Sequence, residues 1–231
     1  MNIKLPGFLL LLIIAFACKP HADLQSLKTE LKSDVKSDSI RYQTGFETGD
    51  TSWYKGKTTA GAYRMENATR AISIDTIDRA IEDRSPCKSV NYPYSVFTKA
   101  KLVLQDSLAV GHIGIVFDRV DDKYYKRLCI SNNGTFFLVR VYDGEEEMLI
   151  PKNASRFILK GNNVYNTIEI RHQTKNIEIL FNGNIAAICK IPPAYSYGEV
   201  GIVASTSQNN VRYSPLTAVF DSFVLKKIKE K

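Results

Sequence analysis

The sequence is poor in the residues that carry redox and metal chemistry, with four cysteines, three histidines and a single tryptophan in 231 residues. It contains no CxxC, no HExxH and no Cys/His cluster, so the common zinc and dithiol sites are excluded and no metal or other cofactor is expected. No GxSxG turn is present, which removes the nucleophile elbow of α/β-hydrolases. Glycine (13) and proline (8) are too scarce for low-complexity disorder. Beyond residue 17 no apolar run approaches the ~20 residues that a spanning helix needs. Past Tyr42 no sustained helical period appears, so helices are not expected there.

What is present begins at the N-terminus. Lys4 is the only charge in the first seventeen residues, Leu9 to Ala17 is unbroken and apolar, and small Ala17 precedes Cys18. The run is too short to span and ends in the polar, helix-breaking Cys18-Lys19-Pro20-His21, so it reads as an export signal. Ala15-Phe16-Ala17-Cys18 resembles the lipobox of bacterial lipoproteins, although Phe16 and the lack of leucine at the first box position depart from its commonest form. That resemblance implies cleavage before Cys18 and lipid on its thiol. A plain secretory signal with an incidental cysteine is the alternative. Each buried methylene contributes ~0.8 kcal/mol, so several acyl chains make a stable membrane anchor. The expected organisation is a signal peptide at 1–17, a lipid-anchored polar tether at 18–40 and one domain at 41–231. Leu24, Leu27, Leu31 and Val35 are spaced for a short amphipathic spacer helix within Asp23 to Ser39. Lys19, rather than an aspartate, after the cysteine favours an outer membrane, with the periplasmic and surface faces both open.

Loss of Lys4 with acylation of the new amino group takes the formal charge from +7 to +6. A basic balance suits contact with anionic headgroups or glycans and is also ordinary for exported proteins. Lys and Arg are scattered through strand-like segments, and the one dense run, Lys226 to Lys229, is a tail, so nucleic acid is not an expected partner. With Cys18 assigned to lipid, Cys87, Cys129 and Cys189 are odd in number. Cys129 and Cys189 would pair if their strands were neighbours; otherwise they serve as small apolar residues.

From Tyr42 onward, short alternating runs are separated by turn residues, the pattern of an all-β sandwich. In Asn166 to His172 and Ile177 to Gly183, Ile168, Ile170, Ile177, Ile179 and Phe181 share one face of a predicted antiparallel hairpin, and Glu169, Arg171 and Glu178 the other. Asn182-Gly183 supplies a tight turn into a further strand, Ile185 to Ile191. Further strands are predicted at Ser95 to Leu104, Ile113 to Phe117, Tyr124 to Ser131, Phe136 to Tyr142, Val200 to Ala204 and Val219 to Lys226.

Phe46, Asp50 and Trp53, Tyr124-Tyr125 before Leu128-Cys129-Ile130, Asn132-Asn133-Gly134, Gly198 to Ile202 and Phe220-Asp221-Ser222-Phe223 together resemble a concanavalin A-like, laminin G-like jelly roll. Relatives of that pattern include carbohydrate-binding modules, laminarinase-type glycosidases and 3-keto-disaccharide hydrolases. The resemblance implies two packed antiparallel sheets, chain ends brought together with Phe220 or Phe223 inward, and a ligand on the outer face of one curved sheet.

The glycosidase branch of this fold displays carboxylates in an ExDxxE-type arrangement, which is missing here. Glu145-Glu146-Glu147 follows the Asp143-Gly144 turn and reads as an exposed hairpin end, so no catalytic residue is assigned. Glycan binding needs planar rings and planar hydrogen-bonding groups. The ligand-binding candidates are accordingly Trp53, Tyr92, Tyr94, Tyr125, Arg127 and Arg140, with His112 flanked by Gly111 and set one residue before Ile113-Gly114. The expected role is a non-catalytic, lipid-anchored envelope protein that binds a glycan or another surface component. A glycoside hydrolase or lyase of the same fold and an envelope assembly module are the alternatives.

Overall fold

The computed structural model describes residues 39–47, 52–53, 55–76, 79–88, 90–106, 108–190, 197–206 and 214–230. The chain divides into two units, Met1–Lys36 and Ser37–Lys231, and the described residues belong to the second. The expected signal, Cys18 and the helical tether lie outside them, save Ser39, with which the first strand begins.

Among the described residues sixteen strands follow in order: β1 (Ser39–Thr44), β2 (Gly56–Thr58), β3 (Gly61–Glu66), β4 (Thr69–Ile74), β5 (Ala80–Arg84), β6 (Val90–Asn91), β7 (Tyr94–Leu104), β8 (Gly111–Arg119), β9 (Tyr125–Ser131), β10 (Thr135–Tyr142), β11 (Glu145–Ala154), β12 (Asn166–His172), β13 (Asn176–Phe181), β14 (Asn184–Lys190), β15 (Tyr197–Thr206) and β16 (Leu216–Lys227). Nine form one antiparallel sheet in the order β14-β13-β12-β7-β16-β4-β3-β2, with β1 also on β16. Seven form the other, β11-β10-β9-β8-β15-β5, with β6 also on β15.

Alternation writes the core. In β7 the residues Val96, Thr98, Ala100, Leu102 and Leu104 are buried while Lys99 and Lys101 between them are not. Opposite them in the seven-stranded sheet, Ile113, Ile115, Phe117, Leu128, Ile130, Phe136, Leu138 and Ile202 point into the same core. Each such large side chain contributes roughly 1.5–3 kcal/mol on burial. The expected hairpin is β12–β13, paired Ile168 to Phe181 and Ile170 to Ile179, with all of its five predicted core residues fully buried. Asn182 and Gly183, both at positive φ (50° and 78°), turn it into β14, and Asp143 and Gly144 (51° and 84°) do the same between β10 and β11.

Phe220 and Phe223 are both buried although three residues apart, because the β16 register shifts between Phe220 and Ser222 and this bulge restores the inward phase. Phe223 lies opposite Thr44 of β1 and meets Trp53 edge-on, joining the two ends of the domain. The cysteine pairing does not form: Cys129 is in β9 of one sheet and Cys189 in β14 of the other, and Cys87, Cys129 and Cys189 are all free.

Candidate functional site

Strand pairing arranges the outer face of the seven-stranded sheet into rows. One runs Glu82, Val203, Gly114, Cys129, Phe137 across β5, β15, β8, β9 and β10. The next runs Arg84, Gly201, Val116, Arg127, Val139, and on the other side Ser205, His112 and Ser131 stand together. Gly114 and Gly201 are required by close backbone approach: a Cβ at Gly114 would lie 1.8 Å from the Leu128 carbonyl oxygen, and one at Gly201 2.2 Å from that of Asp83. Each of these two neighbouring strands therefore has one position on the face without a side chain, Gly114 opposite Val203 and Gly201 opposite Val116. The floor there is apolar, formed by Val203, Cys129, Phe137, Val139 and Val141 with Tyr125 against them. Burial pushes the Cys129 thiol up to about 12, so it acts as an apolar residue.

Charged groups rim this floor. Arg119 caps the ring of Tyr125, its Cζ 5.1 Å from the ring centre, and its fork grips Glu82 and Asp122. Arg127 donates to Glu146 at 2.6 Å, and Arg84 stands 3.8 Å from Glu199. Burial raises the Glu82 carboxyl above the usual glutamate range, against the pull of Arg119, Arg127, Tyr125 and Arg84. His112 is 6% exposed, edge-on to Phe137 at 5.0 Å, with Ser205 Oγ 3.4 Å from its Nδ1. Burial first, then the cations Lys152 and Arg127, push this imidazole down to about 3, so it is neutral at physiological pH.

Of the residues singled out from sequence, His112, Tyr125 and Arg127 thus share one face. Arg140 does not: it pairs with Lys126, whose side chain is buried in the interior, and lies at the strand end against Tyr142 and Glu147. Trp53 and Tyr94 are core residues, each 1% exposed, and present no ring face to solvent. Trp53 packs edge-on between Phe46 and Phe223 and donates its Nε1 proton to Tyr42. Tyr92 stacks on His172, ring centres 4.1 Å apart, on the interior side of the nine-stranded sheet. The acidic run predicted as a hairpin end opens the edge strand β11, where Glu146 and Glu147 pair with Arg127 and Arg140.

Glu82 and Arg119 were not singled out from sequence, because only the β5–β15–β8 pairing brings them to Tyr125. Also unforeseen is an interior cluster between the sheets. Asp118 has φ 52°, and the register shift opposite Gly201 turns it inward beside Phe117. Its carboxylate accepts from Tyr94 Oη (2.8 Å), Lys126 Nζ (2.7 Å) and His172 Nε2 (3.0 Å). Burial works against its charge, but His172 and Lys126 outweigh it and hold the carboxyl well below the usual range. Among the described residues no group of three or more His, Cys, Asp or Glu stands ready for a metal.

No family model and no curated protein matches the chain. Solved structures do. The carbohydrate-binding module CBM66 from Bacillus subtilis superposes with a TM-score of 0.55 at 12% identity, over 77% of this chain and 96% of that one. The fold is a concanavalin A-like jelly roll. A β-glucanase from Bacillus licheniformis aligns at TM-score 0.59 and 12% identity, over 81% and 98% of the two chains. The catalytic domain of an endo-1,3-β-glucanase (laminarinase) from Thermotoga petrophila aligns at 0.57 and 9%, over 85% and 100%. At these identities the likeness concerns the fold, which serves both binding modules and glycosidases.

Proposed function

We propose that this chain is exported, lipid-anchored through Cys18, and binds a glycan on the outer face of its seven-stranded sheet without cleaving it. The observation that carries the reading is the gathering of Tyr125, Arg119, Arg127 and His112 on that face, around the positions where Gly114 and Gly201 leave no side chain. Sugars present apolar ring faces and hydroxyl edges, and this face combines the partly exposed ring of Tyr125 with planar hydrogen-bonding groups. The jelly-roll neighbours that are a carbohydrate-binding module and a β-glucanase support the ligand class. The apolar run Leu9 to Ala17 and the box ending in Cys18 support export and anchoring, and Lys19 supports an outer-membrane destination.

The non-catalytic part rests on the acids. Retaining glycosidases set two carboxyl groups about 5–5.5 Å apart, one of them free to attack. Here Glu82, Glu146 and Glu199 are each engaged by an arginine. One observation favours a hydrolase or lyase as the second reading: the raised Glu82 carboxyl holds its proton more tightly than an ordinary glutamate, as a general acid must. A glycan-array screen with detergent-solubilised full-length protein separates the two, with every hit assayed for released reducing ends and for unsaturated products. Saturable binding without release is expected. Release that disappears in Glu82→Gln would replace the binding reading with the enzymatic one.

A further inference from the structure

Three buried nitrogens on the candidate face have no hydrogen-bond partner among the described residues: His112 Nε2, Arg119 Nε and Arg127 Nε. An arginine Nε–H can only donate. Ser205 Oγ lies 3.4 Å from His112 Nδ1, a contact that either tautomer of the neutral imidazole can make, and Nε2 is the ring nitrogen left over. The face therefore offers unmet donors, and folded proteins rarely leave such groups unsatisfied without a reason. They border the floor at Gly114 and Gly201: His112 is two residues from Gly114 in β8, and Arg127 lies opposite Val116, the cross-strand neighbour of Gly201.

Charge on this face is balanced in number but not in position. Glu82 and Asp122 occupy the fork of Arg119, Glu199 faces Arg84, and Glu146 takes one terminal nitrogen of Arg127. Lys152 of β11, exposed and making no ion pair with any described residue, joins Arg127 in the field felt at His112. The His112 end thus combines unmet donors with an uncompensated cation, while the opposite end is neutralised internally. A neutral sugar hydroxyl brings its own proton to such a site, whereas a carboxylate or sulfate oxygen brings acceptors only and forms the stronger, charge-assisted bonds.

We infer that the His112 end of this face, with Arg127 and Lys152, is a subsite for an anionic substituent, a carboxylate or a sulfate, on the bound glycan. The inference rests on the glycan-binding reading above and adds the chemical class of the ligand. His112 is neutral, so replacing it with leucine leaves the net charge of the protein untouched, which separates a built subsite from general attraction between a basic protein and a polyanion.

The test measures the affinity of detergent-solubilised full-length protein for polygalacturonate, dextran sulfate and the uncharged polymers laminarin and dextran, at one fixed salt concentration. At least one acidic polymer is expected to bind tenfold or more tightly than either neutral one. His112→Leu should lower that affinity at least tenfold while leaving neutral-polymer binding within about twofold. Lys152→Gln, at an exposed position where folding is not at stake, should act in the same direction. Preference for polygalacturonate assigns a carboxylate and preference for dextran sulfate a sulfate. Neutral polymers binding as tightly as acidic ones, or acidic binding unchanged in both variants, overturns the inference and leaves the glycan reading standing. Binding to none of the four overturns both.

Discussion

The two outer faces of the sandwich differ in where their charged side chains find partners. On the nine-stranded sheet the charged side chains pair with one another: Arg171 holds Glu169 and approaches Glu178, Ser95 donates to Glu169, and Lys99 pairs with Asp221 while it and Lys101 lie over the ring of Tyr165; the unpartnered polar atoms there among the described residues, on Gln173 and Asn176, are confined to the β12–β13 turn. On the seven-stranded sheet an apolar floor is buried and three nitrogens around it lack partners among the described residues. A face that only has to meet water resembles the first. A face with an apolar middle and open donors is the one on which we propose that the ligand sits.

The largest expected effect tests what holds the two faces together. Asp118 gathers Tyr94 and His172 of the nine-stranded sheet and Lys126 of the other, so Asp118→Ala leaves a buried lysine uncompensated. The variant should lose about 3–5 kcal/mol in urea denaturation and with it both faces. A loss below about 1 kcal/mol would show that the cluster does not tie the sheets.

The second inter-sheet contact should respond to pH in the opposite sense. Asp83 of β5 meets Arg70 of β4 in the interior, and burial, only partly offset by Arg70, pushes its carboxyl up to about 6. Because this folded value lies above the unfolded one of 3.8, its contribution to stability is full below the unfolded value and lost as pH rises through about 6. Relative to Asp83→Asn, the wild type should lose about 2–3 kcal/mol of stability between roughly pH 4 and pH 7. Asp118, held low, contributes stability above its unfolded value that is lost only as pH falls through its folded one. An Asp83→Asn difference that is flat with pH would contradict the burial argument.

A smaller effect bears on the faces directly. Arg127→Ala should weaken glycan binding by about 30-fold, the size of an interface hot spot of about 2 kcal/mol. Arg171→Ala, the matching change on the nine-stranded face, should leave binding unaltered. Equal losses in titration calorimetry would erase the distinction between the faces.

Much of the fold could be read from local pattern. The β12–β13–β14 meander announces itself through strict alternation and the Asn182-Gly183 turn, and β7 through its lysines on one side and aliphatics on the other. The strands between Gly56 and Asn91 are harder to see: β2 and β6 are very short, β4 carries buried Arg70 beside buried Ala71, and the turn at Asn67-Ala68 lacks glycine. Glu145 to Glu147 hide a strand because exposed charge suits a sheet edge as well as a turn. At the candidate site, Tyr125 and Arg127 fall on one face by alternation, but their neighbours Glu82 and Arg119 depend on non-local pairing. Asp118 faces inward only through a bulge that no alternation rule contains. Trp53 and Tyr94 show the remaining ambiguity, since a ring beside a loop suits a core as well as a ligand.

The most direct test is hydrogen exchange with and without a saturating glycan from the array. Slowed exchange confined to β8, β9 and β15, with β7, β12 and β16 unchanged, is the predicted result. Protection of the nine-stranded sheet, with the seven-stranded one unaffected, would contradict the assignment of the site.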